Sequence, residues 1–444
     1  MRIPSGRSAG RRGWPGALRH RNFRLFWFGQ LVSLIGTWMQ TIAQAWLVLL
    51  LTHDPFWLGV LAAAQFLPVG VFGLFGGIIA DVLPKRRTLV GTQATQMVLA
   101  FVLAALSYAG VVQVWEILVL AGLLGLVNVI DMPTRQSFVI EMVGREDVAN
   151  AVGLNSAIFN MARILGPAIG GILIGILGVT ACFFINGLSF VAVIIGLLLI
   201  RSADLAPTEL LARPTSLAGL RSNLADGLRY VRRTPIVLLS VAVVGVVSTF
   251  GMNFNVLVPP LANGVLDVGA EGLGFMLAVS GLGSMGAALL VASRRRPRVR
   301  VMLLGAVTLG VMELAIAAVR VYPVALLAMF GAGAGAIAMM VTANTSIQLA
   351  VPDALRGRVM SVYTTVFAGS TPFGGLLVGW VASTWGTPAG FLLGGIASIA
   401  AALVAGAWLI RSGPVVPALV REPAGTVPRM PVSAGGPPPG SAGS

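Results

Sequence analysis

Residues Gly77-Ile78-Ile79-Ala80-Asp81-Val82-Leu83-Pro84-Lys85-Arg86-Arg87 join a long apolar run to three consecutive cations. About 20 mostly apolar residues cross a bilayer, and the run 56–80 leading into Asp81 has that length. Cations gathered just beyond such a run mark the cytoplasmic side. Worked outward from this junction, the chain shows twelve apolar runs: 24–51, 56–80, 88–108, 114–134, 150–176, 180–200, 236–260, 271–293, 301–319, 323–348, 358–383 and 386–410. The connections are short except 201–235, a polar stretch with six arginines that divides the runs six and six.

Composition agrees. Apolar residues make up 57% of the 444, charged residues 10%, and mean hydropathy is +0.90. A typical soluble chain carries roughly 25% charged residues, and so few charges cannot cover a water-facing surface of this size. A soluble enzyme, a disulfide scaffold and a disordered chain are excluded for the whole. The expectation is an all-α integral membrane protein of 12 transmembrane helices in two six-helix halves, 24–200 and 236–410. A basic tail (1–23), a cytoplasmic central loop (201–235) and a disordered Pro/Gly/Ser-rich tail (411–444) complete the chain. The first run is too long for a signal-peptide core and lacks a small-residue cleavage site, so it stays in the mature protein.

Net charge is +15, which raises nucleic acid as a partner. Topology absorbs that charge. With alternating crossings, 28 of the 30 cations fall on one side. Arg320 falls on the other and Arg163 inside the fifth run. The distribution predicts a multi-pass protein of the cytoplasmic membrane with both termini in the cytoplasm. Lipid, not nucleic acid, is the expected partner. The preponderance of Arg over a single Lys, Lys85, suggests a GC-rich bacterial genome.

Several chemistries find no residues. The lone Cys182 forms no intrachain disulfide and no cysteine zinc site, and His20 and His53 lie far apart. No metal and no cofactor is expected. No phosphate-binding glycine loop followed by Lys-Ser or Lys-Thr is present, and no Ser/His/Asp set is credible. Neither ATP-driven transport by this chain alone nor an enzyme is expected.

A weak internal repeat is visible. Leu58-Gly59 matches Leu273-Gly274, Asp81 falls opposite Arg296, and Ile169-Gly170-Gly171 finds an echo in Phe373-Gly374-Gly375. Parallel six-helix repeats are one transporter layout.

Gly77 four residues before Asp81, with Lys85, Arg86 and Arg87 after it, resembles motif A of the major facilitator superfamily. Val82 and Pro84 depart from the usual residues there. Physically, Gly77 permits close helix approach, and Asp81 suits a neighbouring helix N-terminus. Gly153, Gly166-Pro167 and Gly170-Gly171 resemble motif C, which in that superfamily marks exporters; Ala162 replaces one expected glycine. The stretches Leu18–Phe26, Asp131-Met-Pro133-Thr-Arg135-Gln136-Ser-Phe138 and Phe159–Pro167 are similar to the enterobactin-exporter and macrolide-efflux branch. The resemblance covers most of 18–410, and the second half carries no intact motif A. It implies a charge relay, placed here on Asp81, Lys85, Arg86, Arg87, Asp131 and Arg135. It also implies a monomer that works by alternating access.

Arg163 lies in mid-membrane, where an arginine costs roughly 3 kcal/mol or more and must face a cavity or an acidic partner. Proton coupling needs a buried carboxylate that an approaching cation can switch; Asp131 and Glu313 are the candidates. Gln30, Ser33, Thr37, Gln40, Thr41 and Gln44 form one polar stripe on the first run. With Asn128, Asn253, Asn255 and Asn344 they are expected to line a central cavity. The reading is export of a bulky small molecule of drug or siderophore type, driven by protons. A sugar or metabolite transporter of the same fold, and a non-transporting receptor, remain as alternatives.

Overall fold

In hydrocarbon every backbone N–H and C=O needs an internal partner, which leaves the helix as the element for apolar runs of this length. The computed structural model describes residues 16–206, 217–293 and 298–411. Its helices are α1 (Arg21–Thr52), α2 (Phe56–Val82), α3 (Lys85–Tyr108), α4 (Val114–Leu177), α5 (Val179–Leu198), α6 (Leu217–Arg233), α7 (Pro235–Phe250), α8 (Phe254–Pro260), α9 (Gly269–Ala292), α10 (Val299–Ala318), α11 (Tyr322–Ala350), α12 (Asp353–Trp385) and α13 (Thr387–Arg411). Eleven spans among the described residues are long and apolar enough to cross a membrane.

α4 explains why eleven agrees with twelve crossings. Its 64 residues would make a rod of about 96 Å, three times the hydrocarbon core. The helix is broken at Gly144, where φ is +70°, a conformation open to glycine and strained for other residues. The parts 114–143 and 145–177 are each long enough for one crossing. The expected loop between the fourth and fifth runs is therefore helical up to the break. Phe138, Val139 and Met142 bury there against Phe26, Leu89 and Leu197, and that packing extends the helix beyond its apolar core.

Two further differences from the sequence reading have local causes. The predicted central loop contains α6, which docks on α12. Asp226 accepts from Arg358 at 2.8 Å and from Arg229 at 3.2 Å, and Tyr230 donates to the Ala350 carbonyl at 3.1 Å. The seventh run, 236–260, is not one helix. It stops at Phe250 and restarts at Phe254, and Pro259 and Pro260 end the short α8. The basic segment 1–15, the cations Arg294, Arg295 and Arg296, and the tail 412–444 lie outside the described residues.

α1–α5 pack together as one group and α7–α13 as another. The groups meet mainly where α2 packs on α12 and α4 on α9.

Candidate functional site

The seam between the groups is closed at one end by glycines. A Cβ on Gly171 would lie 2.6 Å from the Ala270 carbonyl oxygen and 2.9 Å from Gly274 Cα. A Cβ on Gly274 would collide with the Pro167 carbonyl, and one on Gly59 with the Gly375 carbonyl. Gly379 faces the Pro55 carbonyl at 3.1 Å from its would-be Cβ. These residues sit toward the helix ends remote from the basic segments. Only glycine lets the backbones approach this closely.

At the opposite end α2, α4 and α12 part to leave a cleft of about 390 Å³. Asn128, Gln136, Ser361, Thr364 and Thr365 give it polar walls, and Val69, Met132 and Met360 apolar ones. Pockets for drug-sized ligands run about 300–1,000 Å³ with few polar groups, so the cleft has the size for such a molecule.

Beside the cleft, on α4, lies a closed charge network. Asp131 is 0% exposed. Arg135 Nη2 lies 3.0 Å from Asp131 Oδ2, while Thr92 Oγ1 (2.7 Å) and Gln93 Nε2 (2.9 Å) donate to Oδ1. Arg135 Nη1 donates to Gln30 Oε1 at 2.9 Å. The expected relay through Lys85 and Arg86 is thus corrected. Lys85 pairs with Glu141. Arg86 donates to the Leu197 and Leu198 carbonyls, at 2.7 and 2.6 Å. Those are among the last carbonyls of α5, which a cation satisfies. Arg87 is exposed, and the Asp81 side chain lies outside the described residues. Asp131 finds Arg135 because residues four apart share a helix face.

The polar stripe of α1 also goes elsewhere than expected. Thr37, Gln40 and Gln44 line a separate cavity of about 80 Å³ inside the first group, with Gln65, Gln93, Gln96, Asn128 and Arg135. That volume suits several waters rather than a bulky molecule. Asn186 Nδ2 ties Gln40 Oε1 at 2.6 Å. Of the expected cavity residues, Asn128 alone borders the cleft. Asn253 donates to the Thr249 carbonyl across the α7–α8 break, Asn255 is exposed, and Asn344 accepts from Gln348.

Arg163 is half-buried and donates from Nη2 to Ser284 Oγ on α9 at 2.5 Å. Among the described residues no carboxylate pairs with it, and it straps the two groups together rather than lining the cleft. Glu313 is 1% exposed, at a junction of α7, α10 and α13 inside the second group. Its Oε2 has no hydrogen-bond partner.

The glycine motif divides its labour. Gly166 and Gly170 receive α1, each with a would-be Cβ about 3 Å from Ile35 O or Met39 Cγ, while Pro167 and Gly171 meet α9. Gly77 and Gly153 face open space, so the close approach expected of them is absent; Gly76 takes that role against Val129. Sequence reasoning missed Glu141, Thr92, Gln93, Ser361, Thr364 and Thr365. The last three stand at i, i+3 and i+4, a helical polar stripe legible in the run 358–383.

Residues 14–419 match the family described as transmembrane secretion effector. The chain belongs to this family of the major facilitator superfamily. It is similar to the multidrug efflux pump Tap of Mycolicibacterium fortuitum, 32% identical over 83% of this chain and 91% of Tap. The staphyloferrin A transporter of Staphylococcus aureus is 22% identical over 86% of this chain and 94% of its own length. A solved transporter of the POT family, in complex with 5-aminolevulinic acid, shares the fold with a TM-score of 0.72 at 11% identity, over 89% of this chain and 97% of its own. This member of the major facilitator superfamily is a multi-pass membrane transporter and not an enzyme. Of its motif C glycines, Gly171 lies in the closed seam against α9, while Gly166 and Gly170 pack on α1.

Proposed function

We propose that the chain exports a bulky small molecule of drug or siderophore type across the cytoplasmic membrane, as a proton antiporter working by alternating access. The observation that carries this reading is the asymmetry of the seam: glycine-sealed at one end, about 390 Å³ wide at the other. The distribution of cations supports a cytoplasmic placement of the open end and of both termini. That is the side on which an exporter loads. The multidrug efflux pump and the staphyloferrin A transporter among its relatives support the cargo class.

In this reading the groups 24–200 and 236–410 rock about the bound cargo of a monomer. Arg163 and Ser284 join across the seam and part when it opens. Asp131 is the favoured coupling carboxylate. Its cation is in place, and that cation borders the small polar cavity, which gives protons a route apart from the cargo. Glu313 is the second candidate.

The test uses inverted membrane vesicles with an imposed pH gradient, to which macrolides, cationic dyes and catecholate siderophores are added in turn. Proton release triggered by one compound, and lost in Asp131→Asn, is the expected result. Silence across the panel with folded protein would remove the broad-cargo reading. A signal that survives Asp131→Asn and disappears in Glu313→Gln would move coupling to Glu313.

A further inference from the structure

α7 and α13 leave a crevice on the outer surface of the second group. Leu239, Val243 and Ala405 are buried in its floor, while Leu238, Val404 and Trp408 are exposed on its rim. Its volume is about 280 Å³. Both helices are apolar enough to span the membrane, so the crevice lies at bilayer depth, toward the end where α6 joins α7. No segment of the described chain fills it.

Cations surround that end. Arg232 and Arg233 close α6, and the single extended residue Thr234 separates them from Pro235, the first residue of α7, with Leu238 in the first turn after it. Arg411 follows Trp408 by three residues, about one turn of α13. All three arginines are exposed. Among the described residues none of them makes an ion pair; Asp226, the one acid of α6, is occupied by Arg229 and Arg358. Trp408 adds an amphipathic ring of the kind found at headgroup level.

An apolar trough in the membrane, with exposed arginines on the chain segments that leave its water-facing end, matches one chemistry, an acyl chain carrying a negative headgroup. We propose that the α7–α13 crevice is a binding site for an anionic phospholipid. One acyl chain lies on Leu239, Val243 and Ala405, and the phosphate lies among Arg232, Arg233 and Arg411. A neutral lipid gains only the trough. An anionic one gains the arginines as well, each worth up to a few-fold in affinity near a membrane surface. The site is separate from the cleft and does not depend on what the protein carries.

The test places the full chain in nanodiscs of equal parts phosphatidylcholine and phosphatidylglycerol, then releases it for native mass spectrometry. The expected result is retention of phosphatidylglycerol over phosphatidylcholine by about tenfold or more. The triple variant R232Q/R233Q/R411Q brings the ratio close to one. Ala242→Trp, which fills the trough from the lipid side, removes retained lipid while the protein still elutes as a single folded species; Ala401→Trp does so from the other wall. Equal retention of the two lipids by the wild-type chain overturns the proposal, as does a preference that survives the triple variant. A preference that needs the arginines and ignores both tryptophans also overturns it, since the lipid would then be adsorbed on the surface and not seated in the crevice. A dimer that the tryptophan variants dissociate would assign the crevice to a second copy instead.

Discussion

Asp131 and Arg135 stand one helical turn apart on α4 with Oδ2 and Nη2 3.0 Å from each other, and the carboxylate is wholly enclosed. Thr92 and Gln93 of α3 donate to its other oxygen, Oδ1. The pair thereby locks two helices with one charge.

Removing one partner of such a pair strands the other. Arg135→Ala is expected to cost about 3–5 kcal/mol, the penalty for an uncompensated buried charge. Thermal unfolding in detergent should show a markedly lower midpoint. Arg135→Gln combined with Asp131→Asn removes both charges and should restore most of that stability without restoring transport. A double variant as unstable as Arg135→Ala would mean that packing, and not charge, holds α3 to α4.

The glycine seal can be opened by size alone. Gly171→Leu leaves no room for Ala270 and Gly274, so the closed end should splay. The lone native thiol makes this readable. In a Cys182→Ala background, Ala270→Cys should be shielded from a membrane-impermeant maleimide applied to that face. Adding Gly171→Leu should raise labelling at least about tenfold, the scale of a shift of 1.4 kcal/mol in a two-state equilibrium. Unchanged labelling would refute the seal.

Arg163→Ala severs the strap to Ser284. Transport should be abolished while membrane insertion stays at the wild-type level, measured by cargo efflux against the amount of folded protein. Normal efflux would reduce Arg163 to a packing residue. Ser284→Ala, which leaves the cation in place, should lower efflux less.

The walls of the cleft should set cargo affinity. Thr364→Trp places a large ring in a space of about 390 Å³, and binding of any cargo identified by the vesicle assay should weaken by about tenfold or more. Gln44→Leu, which alters the small cavity inside the first group, should leave cargo affinity unchanged. Equal losses from both would merge the two cavities into one pathway.

The membrane class and the helix positions were legible because hydrocarbon imposes length and composition on every crossing. The superfamily was legible in the spacing of Gly77, Asp81 and Gly166-Pro167, and the branch in the stretches 18–26, 131–138 and 159–167. What the sequence hid was which neighbour each polar group meets. Lys85 could face Asp131 or Glu141, and only packing of α3 on α4 decides for Glu141. The α1 stripe signalled protein-facing polarity correctly, but a stripe does not say whether it faces its own helix group or the opposite one. α6 was hidden because a short basic helix in a long polar segment resembles a loop until Asp226 finds Arg358 of α12 and Tyr230 the last carbonyl of α11.

The two glycine contacts, Gly59 with Gly375 and Gly171 with Gly274, carry a consequence for how such a chain can change over generations. Any replacement of Gly59, Gly171 or Gly274 adds at least a methyl group where a backbone already stands, so these three positions admit almost no variation. Ser361, Thr364 and Thr365 border empty space and accept many side chains. Drift in what is carried can therefore accumulate on one wall while the moving parts stay fixed. A lineage could acquire resistance to a new compound without having to reinvent the machine that expels it.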